Sequence, residues 1–292
     1  MKRSNNLFAP TRVDKLNDKY FIVDCWHHRI IYTDDFNNEI KEWKMIDYQF
    51  CGCHTIATDG ELYVIDNTGA NEIVVLNSDL KFMQKFINIG NRPHHVIYDV
   101  VSRSFYAITG NSQEIFCFTK ENNLLQQKYC KKLSFLGNAY IRSISIIDGY
   151  MYFPCANGKI YVANYLDESY LIVNTFTIAE NFGGLNDIIK TNQYYYITSY
   201  GDINFGYNPT FFRVQNLDNL TNNNFEELYD KIGMKGSPYF LSEFDGKIFV
   251  TEIENQNGVV SFNYDNEITN IIKNFQHISD EYDIEIRNIF PT

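Results

Sequence analysis

The chain has 292 residues and a net charge of −11, and its composition is 45% hydrophobic and 16% aromatic. Such a chain can bury a large core and is not disordered, and its many Tyr and Phe residues favour β-strands. The acidic balance argues against nucleic acid and against an anionic membrane surface as partners, because both require a basic protein surface.

The N-terminal segment begins with basic residues, Lys2 and Arg3, but no apolar stretch follows them. This is not the pattern of a signal peptide, and no apolar run approaches the roughly 20 residues that span a bilayer. Six cysteines are spread among the predicted strands. Without an export signal, we expect free thiols in a reducing compartment, and therefore a cytoplasmic protein.

Six sequence repeats follow one another, each with an apolar strand, a polar turn and a second apolar strand. Their period of roughly 40–50 residues is typical of a propeller. We align the repeats at their head residues, where the first strand of each repeat begins: Arg12, His54, His95, Arg142, Asn186 and Tyr239. Ser143 is an alternative head to Arg142, and Phe240 is an alternative to Tyr239.

The second repeat shows how four strands are assigned within a repeat. We predict strands at residues 54–58, 62–66, 72–77 and 82–87, separated by short polar turns. The first turn is Asp59-Gly60, and Asp148-Gly149 and Asp245-Gly246 stand at the same place in repeats four and six. Asp-Gly indicates a tight hairpin, because glycine adopts positive φ without a steric penalty. The sequence therefore predicts an all-β protein, a single six-bladed β-propeller of four-stranded antiparallel blades over residues 1–292.

Short motifs recur at corresponding places in the repeats: Val23-Asp24 before His28-Arg29-Ile30, Val64-Ile65-Asp66 before Asn71-Glu72-Ile73, and Pro93-His94-His95 at the start of repeat three. Over about residues 10–275 this pattern resembles the NHL-repeat family of six-bladed propellers. Among NHL-type enzymes it is most similar to the peptidyl-α-hydroxyglycine amidating lyases. Their zinc-binding histidines stand in a Pro-His context like that of His94 and His95, and more loosely that of His54. The resemblance implies a propeller and, more distantly, lyase chemistry, although only two repeats supply such a histidine.

If the repeats share one supersecondary structure, their head side chains meet around one axis at the mouth of a central channel. Two arginines would bring positive charge, two histidines would serve as donors or general bases, and two polar side chains would add contacts: Arg12 and Arg142, His54 and His95, Asn186 and Tyr239. Guanidinium groups bind carboxylates and phosphates bidentately, so this set suits a small anionic ligand. The alternative is that these side chains only hydrogen-bond their own blades.

Five further side chains near the predicted mouth have assignable roles. His94 and His95 have opposite strand parity, and we prefer His95 as the one that faces the channel. Trp26 and His28 follow Asp24 in a loop and are candidates to wall the mouth, with packing on a neighbouring blade as the alternative for Trp26. Asp24 and Asp66 end equivalent strands, where we expect them to cap loop amides rather than to act in catalysis.

The predicted function is binding of a small anionic molecule, extended to lyase or hydrolase chemistry with His54 or His95 as general base. A scaffold that binds a protein partner is the alternative, and a metal-dependent enzyme is the second alternative. No cofactor is expected. A divalent metal held by His54 and His95 would need a third ligand. The sequence contains no Walker loop, no Rossmann glycine motif and no Gly-x-Ser-x-Gly elbow.

Overall fold

The computed structural model describes residues 5–179, 182–201, 206–264, 267–281 and 283–285. Within these ranges the chain forms 24 strands, which pair in sequence order as six antiparallel sheets of four strands each. This is the six-bladed β-propeller fold, and it confirms the predicted fold class. None of the helices in the described ranges has the length and apolar character that crossing a membrane requires.

Each blade contains four consecutive strands. Blade one contains β1 (Pro10–Leu16), β2 (Lys19–Asp24), β3 (Arg29–Thr33) and β4 (Lys44–Met45), and blade two contains β5 (Ile56–Thr58), β6 (Tyr63–Asn67), β7 (Glu72–Leu76) and β8 (Phe82–Phe86). Blade three contains β9 (Pro93–Asp99), β10 (Ser104–Thr109), β11 (Glu114–Glu121) and β12 (Leu124–Lys132), and blade four contains β13 (Ser145–Ile147), β14 (Tyr150–Pro154), β15 (Lys159–Ala163) and β16 (Ile172–Thr177). Blade five contains β17 (Gly183–Thr191), β18 (Tyr194–Gly201), β19 (Tyr207–Val214) and β20 (Glu226–Glu227), and blade six contains β21 (Ser237–Phe244), β22 (Lys247–Ile253), β23 (Asn257–Asn263) and β24 (Thr269–His277). The first strand of every blade therefore begins within three residues of its predicted head.

The predicted Asp-Gly turns join the first two strands of their blades. Asp148 and Gly149 have φ of 51° and 81°, and Asp245 and Gly246 have φ of 50° and 69°. Positive φ at both central residues is the type I′ geometry, whose twist matches that of the flanking strands. The turn chemistry therefore sets the strand register from which the repeats were aligned.

The chain divides into two compact units. The terminal unit comprises residues 1–87 and 232–292 and contains blades one, two and six, and the middle unit comprises residues 88–231 and contains blades three, four and five. Each unit has its own apolar clusters. In the terminal unit, Phe21 and Val23 of blade one pack with Tyr63 and Ile65 of blade two. Such face-to-face packing of sheets excludes water and stabilises the blades.

Blades six and one come from opposite ends of the sequence and are joined within the terminal unit. The Thr251 hydroxyl of β22 donates to the carbonyl oxygen of Thr11 in β1 at 2.9 Å. The Asn257 side chain of β23 accepts a hydrogen bond from the backbone N–H of Ala9 at 2.8 Å. These buried bonds satisfy polar groups that would otherwise be left without partners, so they fix the two blades to each other.

Candidate functional site

Arg142 lies in the middle unit, in the segment that leads into β13. Its guanidinium carbon Cζ lies 4.2 Å from the ring centroid of Tyr200 and 4.7 Å from that of Tyr140. Both distances lie within the range of cation–π attraction. Its Nη1 is buried and finds no hydrogen-bond acceptor within the described part of the chain. We call Tyr140, Arg142 and Tyr200, together with His94, the Arg142 cluster.

Ser143, the residue after Arg142, also has a buried polar atom without a hydrogen-bond partner in the described part of the chain. Ser143 is fully buried, and no hydrogen bond to its Oγ comes from any residue that the structure describes. A buried donor without an acceptor costs about 1–3 kcal/mol, and more when the group is charged. Arg142 and Ser143 thus each bury a polar atom that finds no partner in the described part of the chain.

Two glycines make room for the tyrosine rings of the cluster. Gly184 has φ of 57°, and a Cβ built on it would lie 2.7 Å from Cε1 of Tyr200. A Cβ on Gly110 would lie 2.8 Å from Cε2 of Tyr140. Any larger residue would push the rings away, so glycine at these two positions is required for the observed position of both rings.

His94 is the histidine that joins this cluster. Its Nδ1 lies 3.1 Å from the carbonyl oxygen of Arg142 and therefore donates a hydrogen bond to it. Its ring also meets the Tyr140 ring edge-on, with the centroids 5.7 Å apart. His95 is buried on β9, where it pairs with Ile108 of β10. The preference for His95 over His94 as the residue that faces the channel stays a prediction.

Arg213 of β19 offers a comparison within the same unit. Its Cζ lies 4.2 Å from the Tyr194 ring centroid, as in the Arg142 cluster. In contrast to Arg142, its Nε donates to the Glu226 carboxylate at 2.6 Å, and its Nη1 donates to the Tyr196 hydroxyl at 3.3 Å. The chain thus contains one stacked arginine with an internal carboxylate and one whose Nη1 has no acceptor in the described ranges.

His54 of the terminal unit is part of a buried chain of hydrogen bonds. The Thr68 hydroxyl donates to Oδ2 of Asp66 at 2.8 Å, so its oxygen accepts from Nδ1–H of His54 at 2.9 Å. This fixes the tautomer that has its lone pair on Nε2, which lies 3.9 Å from Sγ of Cys25. A carboxylate, a hydroxyl and an imidazole in this order can orient a general base.

Asp66 holds the backbone of its own loop. Oδ2 accepts from the backbone N–H of His54 at 2.9 Å, and Oδ1 accepts from the N–H of Thr55 at 2.6 Å. Complete burial raises the pKa of Asp66 to about 7, against the opposing effect of these hydrogen bonds. Asp24 accepts the N–H of Phe8 at 2.7 Å in the same manner. The expectation that both carboxylates cap loop amides is confirmed.

The other predicted ligand contacts have internal partners. Arg12 pairs with Asp14, with Nε 2.7 Å and Nη2 3.2 Å from the carboxylate oxygens. The ring of Tyr239 lies 6.1 Å from that of His54. The ring of Trp26 packs edge-on against Phe8 of the N-terminal segment.

Two more predicted contact residues lie at buried backbone positions. His28 has φ of 52°, and its Nδ1 accepts from the N–H of Gly52 at 3.0 Å. Asn186 is fully buried at a register shift in β17. Arg12, His54, Tyr239, Trp26 and His28 belong to the terminal unit, and His95, Arg142 and Asn186 belong to the middle unit. The convergence of the heads on one axis stays a prediction.

In the ranges that the structure describes, one group of three side chains has the spacing of metal ligands: His277, Asp280 and Asp283. It includes none of the head residues. Asp280 and Asp283 are already used in a reciprocal capping arrangement, in which the side chain of each accepts the backbone N–H of the other at 3.0 Å. Helix capping therefore accounts for the two carboxylates without a metal.

The sequence reasoning missed Tyr140, Gly110 and Gly184 as site residues. Tyr140 stands two positions before Arg142, a spacing that places side chains on one face of an extended segment. That signal was available from the sequence. No local pattern signals the two glycines, because the rings for which they make room are distant in sequence: Tyr140 precedes blade four, and Tyr200 stands on β18, which pairs with β17.

No protein-family model matches the sequence, and no curated protein matches it. Solved structures do match. A catalytically inactive variant of virginiamycin B lyase from Staphylococcus aureus, with quinupristin, is 14% identical, with 94% of this chain and 86% of that chain covered and a TM-score of 0.61. A putative 6-phosphogluconolactonase from Bacteroides uniformis is 14% identical, with 90% and 83% covered and a TM-score of 0.60. The β-propeller domain of Swd1 from Myceliophteria thermophila is 10% identical, with 93% and 88% covered and a TM-score of 0.57.

These similarities establish a β-propeller and, at such low identity, nothing finer than the fold. The same fold carries a lyase, a putative lactonase and a domain described only as a propeller. Membership of the NHL-repeat type has no family match behind it and stays a prediction. Function must therefore be argued from the site residues of this chain.

Proposed function

We propose that the protein binds a small molecule bearing a carboxylate or phosphate group through Arg142. The observation that carries this proposal is the buried Nη1 of Arg142, which has no acceptor among the described residues although the Tyr140 and Tyr200 rings flank the guanidinium. An anionic oxygen would accept from this N–H and remove the energetic cost of burying it.

The contrast with Arg213 supports an anion as the ligand. Arg213 is stacked on a tyrosine ring in the same way, and its guanidinium is bound by the Glu226 carboxylate. A carboxylate supplied by a ligand would complete the Arg142 cluster as Glu226 completes the environment of Arg213.

The proposal is tested by isothermal titration of the protein with phosphate, benzoate and 6-phosphogluconate, with chloride as the matched salt. We expect at least one of the three anions to bind. Arg142→Gln should weaken that binding about tenfold to a hundredfold, because a hydrogen bond to a charged group contributes about 1.5–3 kcal/mol. Arg142→Lys keeps the charge but loses the planar fork and should bind with intermediate affinity.

Arg103→Gln is the matched control, because it makes the same change of net charge at an exposed turn of the same unit. Equal affinity of the wild type and Arg142→Gln, or binding of none of the three anions, would contradict the proposal. If none of the three anions binds, a stoichiometric protein partner recovered with the purified chain would support the alternative function, a scaffold that binds a protein.

A lyase or hydrolase activity is the second candidate, and the orientation of His54 favours it. The Asp66–Thr68–His54 chain fixes the tautomer with a lone pair on Nε2, which a general base needs. For any substrate that the protein is found to turn over, Thr68→Val should lower kcat and shift the pH profile, while KM changes little. An unaltered pH profile in Thr68→Val would exclude His54 as the base.

A further inference from the structure

A buried series of charged side chains attaches the C-terminal segment to blade one. Nδ1 of His27 lies 2.7 Å from Oδ2 of Asp24, and Nε2 lies 2.9 Å from Oδ1 of Asp283. His277, at the end of β24, places its Nε2 2.6 Å from the other oxygen of Asp283. The side chains of His27, Asp24 and Asp283 are almost fully buried, and 256 residues separate His27 from Asp283.

The geometry determines the charge state of His27. A carboxylate oxygen has no proton to donate, so both ring nitrogens of His27 must be donors, and only the imidazolium has two N–H groups. The second cation on Asp24 is Arg29, whose Nε donates to the same Oδ2 at 2.7 Å. Asp24 and Asp283 thus face Arg29, protonated His27 and His277, and the charges balance only while His27 keeps both protons.

Other contacts of the segment do not depend on protonation. Asn257 donates to the Ser279 hydroxyl at 2.8 Å, and the Asp280–Asp283 capping pair fixes the first turn after β24. The Phe8 ring packs against the His27 ring, with the centroids 5.7 Å apart, and carries no charge. His27 is therefore the buried group whose proton links the segment to blade one.

We propose that residues 277–281 and 283–285 form a pH-sensitive latch, held on blade one by imidazolium His27 between Asp24 and Asp283 and released when His27 loses a proton. Deprotonation leaves one ring nitrogen facing a carboxylate oxygen, lone pair against lone pair, in a buried position. The contact of His27 with Asp283 is the weaker of its two contacts, because Asp24 keeps its ion pair with Arg29 after His27 loses a proton. Release therefore begins at the C-terminal segment.

The direction of the pH dependence follows from the neighbours of His27. Burial opposes the charged form, but Asp24 and Asp283 outweigh this effect and raise the pKa of His27 above its ordinary value. Because the pKa of His27 is raised in the folded state, its protonation stabilises the latch fully below the ordinary histidine pKa of about 6.5. This stabilisation is lost as the pH rises through the pKa that His27 has in the folded state. The pKa values of Asp24 and Asp283 are lowered although burial opposes this, because the cations favour their charged forms, so both carboxylates stay ionised across this window.

Hydrogen–deuterium exchange of the full-length protein, followed by mass spectrometry, tests the latch. Exchange of the peptide that covers residues 278–285 is compared at about pH 6 and about pH 9, on either side of the ordinary histidine pKa, and corrected for the intrinsic rate. In the wild type, the opening constant should rise by up to about tenfold per pH unit above the ordinary pKa, as the linkage of one proton requires. Peptides of β22 should stay protected at both values.

Three variants separate His27 from the other titrating groups. His27→Gln should open the latch at both pH values and remove the pH dependence. Asp283→Asn, which leaves the Asp24–Arg29 pair of blade one intact, should do the same if His27→Gln fails to fold. His277→Gln should keep the pH dependence, because it removes only the more exposed member of the series of charged side chains. Equal protection at both pH values in the wild type would overturn the proposal. A pH dependence that survives in His27→Gln or Asp283→Asn and disappears in His277→Gln would also overturn it.

Discussion

The substitution Gly184→Ala perturbs the Arg142 cluster without changing any charge. Its Cβ would lie 2.7 and 2.9 Å from two ring carbons of Tyr200, whereas unstrained carbon contacts begin near 3.5 Å. The ring must therefore shift by about 1 Å away from Gly184, which disturbs a cation–π contact with Arg142 of about 0.5–2 kcal/mol. Because this attraction holds the guanidinium in place, we expect affinity for the anion that binds best to fall about threefold to thirtyfold.

The conformational cost of the new residue needs a separate measure. Gly184 has φ of 57°, and alanine in the left-handed region costs about 1–2 kcal/mol. Gly149 also has positive φ, at 81°, but a Cβ there would meet no atom within 4 Å. Gly149→Ala should therefore destabilise the fold by the backbone cost alone, while Gly184→Ala adds an overpacking cost of about 1–3 kcal/mol.

Urea denaturation measures the two stabilities, and isothermal titration measures the two affinities. The reasoning predicts that only Gly184→Ala weakens anion binding. It would be refuted if Gly184→Ala bound the anion as tightly as the wild type, or if both substitutions weakened binding equally.

Two further predictions concern the stability of the terminal unit. Burial raises the pKa of Asp66 to about 7, so the stabilisation that this carboxyl contributes is present below its unfolded pKa and is lost as the pH rises through about 7. Asp66→Asn should remove that component, which is on the order of 4 kcal/mol, and urea denaturation at about pH 5 and pH 8 should show a smaller pH dependence than in the wild type; an unchanged pH dependence would contradict it. Thr251→Val removes the donor to the Thr11 carbonyl between blades six and one and should lower the free energy of unfolding by about 1–2 kcal/mol. Thr269→Val on exposed β24 is its control, and equal effects of the two substitutions would exclude a special role of the blade junction.

The fold could be predicted from the sequence because its signals are local and repeated. The Asp-Gly turns recur at one position in three blades, and the positive φ values of Asp148-Gly149 and Asp245-Gly246 agree with the tight hairpin turns that this sequence predicts. The period of the repeats then places the head residues. Arg142 was found in this way, as the start of the fourth repeat.

The rest of the candidate site depends on contacts that no repeat contains. Tyr200 reaches Arg142 from another blade, and glycine at positions 110 and 184 is explained only by the rings it accommodates. The pairing of β9 with β10 shifts register beside His94 and His95, between Ile108 and Thr109, so strand parity alone does not decide which of them faces the channel. A bulge of this kind breaks the alternation on which the parity argument depends.

Arg12 illustrates a different limit. It is the predicted head of its repeat, as Arg142 is of the fourth, but Asp14 stands two residues later on the same strand face and binds its guanidinium. Positions that are aligned as repeat heads therefore carry different chemistry when their neighbours differ. The latch residues His27 and Asp283 could not have been paired from the sequence, since they meet only because the two ends of the chain lie in one unit.

The most direct test of the central claim is a crystal structure of the protein with the anion that binds best in the titration. An anionic oxygen is expected within hydrogen-bond distance of Nη1 of Arg142, with the Tyr140 and Tyr200 rings still beside the guanidinium. An anion bound elsewhere, with Nη1 of Arg142 bonded to the protein itself, would contradict it.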